Sequence, residues 1–380
     1  MTAQMGGFLF GLYYLDNMCF GTTLCIEIKG TRIMSKFCVF CGKPPVDKNR
    51  EHIIPQWLIK YTNRGKMPMV KVLKDGKWEP KISYMNFTMP ACEACNEEFS
   101  ALEAKVKPIL LNILAEKPVS AREISLFLDW LDKVRLGLRL SSVYLQNGLR
   151  QEAPHTFIKE RTGLTDRMMI IEKIKPQPDI RLAFPDTNTQ YFQSAAQSFQ
   201  FIIDNYVFTN ASAYMMVSPK LGFPYASHIE TIDAPNVSLE NWQPGKCRAR
   251  GPVFGNLTPA PDRIIISQPM FKHFEDIPLY DNDYVKSHCI DFDTGVGGIF
   301  YQRGQTNEVK YLAPDEQTVL KPRETTRDFK TILRGAYELQ SEMLARAPRY
   351  NTSDARFNAY NNKLMELQAI ELKSAIAAHR

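Results

Sequence analysis

The sequence contains little cysteine and histidine and no apolar run that could span a membrane. Its 380 residues include eight cysteines and six histidines. So few cysteines in so long a chain do not indicate a disulfide-rich secreted protein, and reduced thiols in a cytoplasmic protein are the expectation. The apolar N-terminal stretch is interrupted by Asp16 and falls short of the ~18 uninterrupted apolar residues of a spanning helix. We therefore expect no membrane partner.

Internal repeats and low-complexity segments are also lacking, and the composition, 44% apolar and 23% charged, is that of a soluble globular protein. Residues 1–33 allow two interpretations, a translated segment or an extension upstream of a true start at Met34. We expect an α+β protein in which that doubtful extension is followed by three units. These are a small zinc module at 34–117, a mixed α/β-rich region at 118–322 and a C-terminal helical pair at 323–380.

The net charge of +6 is unevenly distributed. Between Lys36 and Lys81 there are eleven Lys or Arg residues against four Asp or Glu, whereas the chain after Glu116 is close to balanced. Such an excess favours a phosphate backbone as partner. An ordinary solvated surface is the alternative that charge alone does not exclude.

Local patterns predict the elements of the N-terminal part. A short helix is expected after Pro55, stopping at Gly65, and a hairpin around Asp75-Gly76. From Asn96 onward apolar residues recur at helical spacing, and Pro108 is expected to kink or divide that helix.

A longer helix follows, with Ser120 as N-cap and Glu123 completing a capping box. Three of its basic residues are expected on a solvated face, and contact with nucleic acid is the alternative. These residues are Lys133, Arg135 and Arg139. Short apolar runs between about 155 and 320 predict a β-rich region, and two helical patterns close the chain at about 323–346 and 353–379.

Four cysteines form two C-x-x-C pairs, Cys38/Cys41 and Cys92/Cys95. Each pair places two sulfurs on one side of a tight turn, and the hairpin between the pairs can bring the turns together. Four thiolates are the ligand set of a tetrahedral structural Zn²⁺ site, which leaves no open position for water. Any catalysis therefore needs another centre.

Glu51, His52 and Asn96 supply the residue types of such a centre. Hydrolysis of a phosphodiester needs a base that activates water and a hard cation that stabilises charge on oxygen. An imidazole suits the first task, and a carboxylate with an amide oxygen suits the second. On an extended segment the Glu51 and His52 side chains point to opposite faces. Each residue also has a simpler interpretation: His52 as a hydrogen-bonded histidine near the zinc, and Asn96 as a helix cap.

The joint pattern resembles the zinc-stapled form of the HNH endonuclease family. The resemblance is carried by C-x-x-C, then "EHIIP", then C-x-x-C-N opening a helix, and covers roughly residues 36–115. The stretches "CEACNEEFSALEAKVKP" and "EHIIPQWL" are also similar to bacterial members with long C-terminal regions. The family fold is a treble-clef-like zinc module with a ββα-metal active site.

Carried over position by position, the resemblance implies that His52 is the general base and that Glu51 binds the metal. Asn96 takes the place of the helix ligand, and Asn86 is the candidate for the middle Asn that orients the histidine. The implied catalytic cofactor is Mg²⁺ or Mn²⁺, and the implied substrate is double-stranded DNA, in a restriction or phage-defence role. Three departures concern catalysis: Glu51 where Asp is commoner, Asn96 where many members have His, and Phe99 where many have Lys.

Two further functions remain open at this point. One is a non-catalytic, zinc-stabilised nucleic-acid-binding protein, in which the Glu-His pair is incidental. The other is an RNA-directed nuclease or an interaction protein, with a protein partner, in which the large β-rich region carries the function.

Overall fold

The computed structural model describes most of the chain. The described residues are 24–26, 37–47, 49–74, 77–145, 156–177, 180–213, 218, 221–233, 236–245, 260–271, 283–303, 308–347 and 355–379. They form the predicted α+β protein, with the cysteine cluster near the N-terminus, a β-rich sheet region and C-terminal helices. No helix among these residues is long and apolar enough to cross a membrane.

The N-terminal part consists of short strands and two helices. In chain order they are β1 (Leu24–Ile26), β2 (Arg50–His52), α1 (Gln56–Tyr61), β3 (Pro68–Lys74), β4 (Lys77–Ser83), a 3₁₀ turn (Tyr84–Asn86), β5 (Thr88–Pro90) and α2 (Glu93–Leu114). The predicted hairpin is confirmed, because β3 and β4 pair antiparallel with Lys74 opposite Lys77. β2 pairs antiparallel with β5, which leads directly into α2, so the cysteines are framed by a ββα arrangement. The proposed start at Met34 lies outside the described residues, whereas β1 pairs in parallel with β3.

One predicted helix boundary was wrong, and one of the two outcomes expected at Pro108 does not occur. Helix α1 ends at Tyr61 rather than near Gly65, because Asn63 adopts a left-handed φ of 56° that an α-helix cannot continue. Pro108 does not divide α2, which runs on to Leu114. Proline removes one helical hydrogen bond, and the buried side chains of Val106 and Ile109 on either side hold the helix in the core.

The long helix α3 (Ala121–Leu145) follows the short strand β6 (Pro118–Ser120) and begins as predicted. The Ser120 backbone N–H donates to Glu123 Oε2 at 2.7 Å, and the Glu123 N–H donates to Ser120 Oγ at 3.3 Å. This reciprocal pair is the predicted capping box, which satisfies two backbone donors at the helix start.

The three basic residues of α3 that were predicted on a solvated face are instead buried or half-buried, so that prediction was wrong. Lys133 and Arg135 are both 0% exposed. Arg135 donates to Asp132 Oδ1 at 2.8 Å, and Arg139 donates to the Gln193 carbonyl at 3.1 Å. Helix α3 packs against both α2 and strand β10 of the sheet described next, and each cation has an acceptor within the fold. Nucleic acid cannot reach Lys133 or Arg135.

The remaining elements include the predicted β-rich region. In chain order they are β7 (Arg167–Lys173), β8 (Leu182–Ala183), α4 (Gln190–Ala195), β9 (Ser198–Ile203), β10 (Tyr206–Ser212), β11 (Tyr225–Asp233), β12 (Asn236–Gln243), β13 (Arg263–Gln268), α5 (Asp283–Ser287), β14 (Cys289–Asp291), β15 (Val296–Gly297), β16 (Ile299–Arg303), β17 (Lys310–Leu312), β18 (Gln317–Val319), α6 (Phe329–Arg346) and α7 (Ala355–Ala378). Seven strands form an antiparallel sheet in the order β17-β16-β13-β7-β10-β9-β8.

Both faces of this sheet are covered, which explains its nearly continuous apolar strands. Successive side chains of a strand point to opposite faces. On β7, Met169 and Ile171 belong to the core shared with α3, whereas Met168 and Ile170 pack with the C-terminal helices. The helical pair predicted at the C-terminus is confirmed as α6 and α7, so the sheet lies between α3 and this pair.

A single apolar core joins the N-terminal part of the chain, called the zinc module after its cysteine cluster, to the sheet. Trp130 of α3 lies within this core. Its ring is 0% exposed and stacks on Trp57 of the zinc module, with centroids 6.5 Å apart. On its other side it contacts Phe201 of the sheet at 5.8 Å. The core therefore couples the stability of the two regions.

Two carboxyl groups, of buried Asp186 and half-buried Glu371, lie where the C-terminal helices pack against α4 and β9. Asp186 Oδ1 accepts the Gln200 N–H at 2.9 Å, and Glu371 Oε2 accepts the Gln190 N–H at 2.8 Å. Burial raises the pKa of Asp186 from 3.8 to about 7 and that of Glu371 from 4.5 to about 7. Tyr337 lies close to both groups and is itself buried.

These raised pKa values predict a pH-dependent stability. In the unfolded chain these two carboxyl groups ionise near pH ~4, whereas in the folded protein they stay protonated up to about pH 7. The unfolded chain therefore gains free energy from ionisation first, and the folded protein loses stability as the pH rises from about 4 through about 7. We expect the melting temperature to fall between pH 5 and pH 8, and Glu371→Gln to flatten that fall. Glu366→Gln, an exposed neighbour on the same helix, is the matched control. A melting temperature that rises across this range would contradict the prediction.

Candidate metal centre and the Glu51–His52 segment

The four predicted zinc ligands come together. The sulfurs of Cys38, Cys41, Cys92 and Cys95 all lie within 4.8 Å of one another. Cys41 Sγ and Cys92 Sγ are 3.9 Å apart. A tetrahedral Zn–S bond length of about 2.3 Å places sulfurs about 3.8 Å apart, so the cluster has the size of a zinc site.

The first cysteine pair lies on a tight turn that requires glycine. The Gly42 N–H donates to the Cys38 carbonyl at 2.9 Å, and the Cys38 N–H donates to the Lys43 carbonyl at 2.8 Å. Gly42 has a φ of 75°, and a Cβ there would lie 2.3 Å from the Phe157 ring. Glycine thus permits both the left-handed turn and the close packing of Phe157 over it.

The second pair is positioned by the start of α2. Cys92 is its N-cap residue and accepts the Asn96 N–H at its carbonyl, at 2.9 Å. The Cys92 N–H in turn donates to Cys38 Sγ at 3.3 Å, which links the two turns directly. Backbone N–H groups at a helix start favour a negatively charged sulfur.

Without a metal, two of the four sulfurs, those of Cys92 and Cys95, favour the protonated form. Burial and the neighbouring Cys38 sulfur raise the pKa of Cys92 to about 12, and burial raises the pKa of Cys95 to about 11. A cation that binds all four as thiolates must therefore displace protons. The arrangement fits structural Zn²⁺, with four ligands and no open position.

The Glu51 side chain points into the protein and pairs with Lys133. Lys133 Nζ donates to Glu51 Oε1 at 2.5 Å and to Glu103 Oε1 at 2.6 Å. The Lys133 side chain is 0% exposed and that of Glu51 is 8% exposed. The predicted metal-binding acid is thus one partner of a buried ion-pair cluster.

His52 points to the other face of β2 and is half-buried. Its Nε2 lies 2.9 Å from the Met85 carbonyl, and its Nδ1 lies 3.3 Å from Gln56 Nε2. A carbonyl oxygen only accepts, so Nε2 carries the hydrogen and Nδ1 keeps its lone pair. The contact that orients this ring comes from the Met85 carbonyl, and the neighbouring Asn86 is exposed.

Asn96 lies beside Asn49, the residue that precedes β2. Its Nδ2 donates to Asn49 Oδ1 at 3.2 Å, and its Oδ1 is buried without a hydrogen-bond partner among the described residues. An orphaned amide oxygen suits a cation or a water molecule. The structure thus brings Asn96 near Asn49, and Glu51 near Glu103.

The residues present do not fit a catalytic Mg²⁺ or Mn²⁺ bound jointly by Glu51 and Asn96. Asn96 Oδ1 is suitable, but an ion at the Glu51 carboxylate would lie beside the Lys133 ammonium group. Like charges so close in a buried site repel strongly. Among the described residues, the four cysteines are the one group of three or more His, Cys, Asp or Glu that lies close enough to hold a metal ion.

Three residues of this region were missed by sequence reasoning, namely Arg50, Gln56 and Glu103, and a fourth, Lys133, was placed on a solvated face. Arg50 belongs to the basic stretch but was not singled out. Glu103 lies seven residues after Asn96, two turns along the same helix face, a signal that was available. Lys133 lies one helical turn from both Trp130 and Gly137, so the three residues share one face of α3. A tryptophan and a glycine on one helix face indicate that this face packs against the rest of the protein.

Comparisons with models of protein families, with curated proteins and with solved structures found no match to this chain.

Proposed function

We propose that this protein is a nuclease that hydrolyses phosphodiester bonds of DNA, with His52 as the base that activates water. The observation that carries the proposal is the orientation of the His52 ring on the accessible face of β2. The Met85 carbonyl fixes the hydrogen on Nε2, which leaves Nδ1 as the basic atom. The same carbonyl stabilises the imidazolium ion that forms when Nδ1 takes a proton.

Space for the attacking water is supplied by Gln56. Its amide makes the 3.3 Å contact to Nδ1, and the side chain is exposed, so a water molecule can replace it. The resulting step is a displacement at phosphorus. The water oxygen forms the new P–O bond, its proton passes to Nδ1, and the bond from phosphorus to the leaving ester oxygen breaks. Solvent water protonates the leaving oxygen, and the imidazolium returns its proton to solvent. General-base catalysis of this kind contributes about 10²–10⁴-fold to a rate.

Arg50 supports the same proposal, because it lies two residues before His52 on the same strand face. Its guanidinium group is exposed and is fixed by Thr88, through Nε to Thr88 Oγ1 at 2.6 Å and Nη2 to the Thr88 carbonyl at 2.7 Å. A fixed guanidinium group is well suited to bind a phosphate group. Lys43, Lys60 and Lys66 add exposed positive charge to this module. Such contacts bind the backbone largely without sequence specificity.

The divalent cation that the resemblance implies has no part in these steps. Mg²⁺ or Mn²⁺ would polarise the phosphate and stabilise the leaving oxygen. The pairing of Glu51 with Lys133 leaves Asn96 Oδ1 as the one suitable oxygen of the implied pair. The proposal therefore assigns charge stabilisation at the phosphate to Arg50.

Nicking of supercoiled plasmid tests the proposal. We expect His52→Ala to lower the nicking rate by about 10²–10⁴-fold, with zinc content and DNA affinity unchanged. His52→Gln, which can still donate to the Met85 carbonyl but cannot act as a base, should be equally slow. Added imidazole should partly restore the alanine variant. The assay is run with Mg²⁺, Mn²⁺ and EDTA, and on single-stranded RNA, to identify the substrate.

The pairing of Glu51 with Lys133 favours a second candidate, a zinc-stabilised protein that binds nucleic acid without cleaving it. The wild-type protein would then shift DNA in a gel, with affinity falling as salt rises, and nick it under none of the metal conditions. DNA binding without nicking under any of these conditions would reject the first candidate and leave the second. Nicking that persists unchanged in His52→Ala would reject His52 as the base and would also reject the second candidate.

A further inference from the structure

The ammonium group of Lys133 sits in a cage of four oxygen atoms. Nζ lies 2.5 Å from Glu51 Oε1 and 2.6 Å from Glu103 Oε1. The backbone carbonyls of His52 and Ile53 complete the cage at 3.2 Å and 3.4 Å. Carboxylates and backbone carbonyls are the groups that also bind hard metal cations.

We infer that Lys133 acts as a tethered cation. Its ammonium group occupies the place that a divalent ion would take at Glu51, and it thereby positions the His52 segment. The four distances establish the cage without reference to any activity. Its relevance to catalysis rests on the proposed function. Lys133 is a positioning residue in this account, because its fully buried ammonium group cannot touch a substrate.

The charges of the cage keep Lys133 positive. Burial alone lowers the pKa of Lys133, but the carboxylates of Glu103 and Glu51 outweigh it and raise the pKa overall. Burial raises the pKa of Glu103, and the charge of Glu51 adds to that effect. Two carboxyl groups face one ammonium group, so the cage holds one cation and would be left with uncompensated negative charge without it.

The tether is a fixed part of the fold. Trp130, one turn before Lys133, is 0% exposed, and a Cβ at Gly137, one turn after it, would lie 2.8 Å from the Ile53 side chain. Helix α3 therefore approaches the segment after β2 closely on both sides of the lysine. Withdrawing Lys133 would require the core between the zinc module and the sheet to open.

His52 is thus fixed from two directions. Its carbonyl accepts from Lys133 of α3, and its ring is oriented by Met85 of the zinc module. Changes in α3 are transmitted to the backbone of the general base through Lys133. Glu51 acts in this arrangement as the anchor of that lysine and not as a ligand of a catalytic metal.

Removing the lysine side chain should convert the cage into a metal site. We expect full-length Lys133→Ala to bind one more Mn²⁺ per chain than the wild-type protein, measured as loss of the electron paramagnetic resonance signal of free Mn²⁺. Adding Glu51→Gln to the variant should abolish that extra binding, because one of the two carboxylates is lost. n-Propylammonium, which replaces the removed atoms, should compete with Mn²⁺, whereas n-propanol should not.

Two results would overturn the inference. One is a folded Lys133→Ala protein, with wild-type zinc content, that binds no additional Mn²⁺. The other is wild-type protein that binds Mn²⁺ and loses it in Glu51→Gln, since a metal would then share Glu51 with the lysine. Neither result depends on cleavage, so failure of the proposed nuclease activity is distinguishable from failure of the cage.

Folding of the variant provides the second measurement. Removing one partner of a buried ion cluster is strongly destabilising, because it leaves uncompensated charge, so Lys133→Ala can be unfolded in plain buffer. Refolding by n-propylammonium or Mn²⁺, but not by n-propanol, supports the cage. A variant that stays unfolded with both cations contradicts it.

Discussion

Cys92→Ser will release zinc and unfold the zinc module. The cluster closes with four sulfurs, and the lost Cys92 sulfur lies 3.9 Å from Cys41 Sγ of the other turn. Zinc bound in small structural sites contributes about 10–16 kcal/mol of apparent binding free energy at neutral pH. That contribution is as large as the whole ~5–15 kcal/mol stability of an ordinary domain, so its loss should unfold the module. Elemental analysis and thermal melts monitored by circular dichroism measure both effects.

Cys289→Ser is the matched control for this prediction. Cys289 is a half-buried free cysteine whose Sγ contacts the Lys286 carbonyl at 3.5 Å, far along the chain from the cluster. It should keep zinc and melt like the wild-type protein. A Cys92→Ser protein that retains one zinc per chain and its wild-type melting temperature would refute the assigned role of the cluster.

Trp130→Ala will destabilise the whole protein by about 3–5 kcal/mol, the usual cost of emptying a large aromatic site. The ring is fully buried, and it contacts Trp57 on one side and Phe201 on the other. The resulting cavity therefore lies between the zinc module and the sheet. Urea unfolding followed by fluorescence and by circular dichroism measures the loss, and both regions should melt together.

Trp130→Phe separates packing from polarity in the same site. The Trp130 N–H is buried without a hydrogen-bond partner among the described residues. Phenylalanine removes that unpaired donor and keeps most of the ring, so its cost should be well below that of alanine. If the alanine variant left the zinc module unaffected while the sheet melted early, the shared core would not couple the two regions.

Patterns with a local cause were predictable from the sequence. The capping box at Ser120 and Glu123 and the hairpin between β3 and β4 each depend on residues a few positions apart. The cysteine cluster brings together two turns that are distant in sequence, but the C-x-x-C spacing of each pair is typical of metal ligands and predicts the cluster. The predicted end of α1 was wrong because a single residue decides where the helix stops: the left-handed φ of Asn63 ends α1 early.

The environment of Glu51 was not predictable in the same way. Its partner Lys133 is 82 residues distant in sequence and lies on a helix that alone looked amphipathic. Only the packing of α3 between the zinc module and the sheet makes both faces of that helix internal. The resemblance implied a metal ligand at Glu51, whereas burial made it one side of an ion pair; the roles of His52 and Asn96 in catalysis stay predictions.

The order of strands in the sheet has a consequence for synthesis of the chain. Strand β7 is flanked by β10 and β13, and roughly 50 residues separate the end of β10 at Ser212 from the start of β13 at Arg263. At a translation rate of ~5–20 residues per second, one edge of β7 waits several seconds for its neighbour. An unpaired apolar edge of this kind attracts other strands. The ribosome-bound chain therefore passes through an interval of aggregation risk, when holding chaperones matter most.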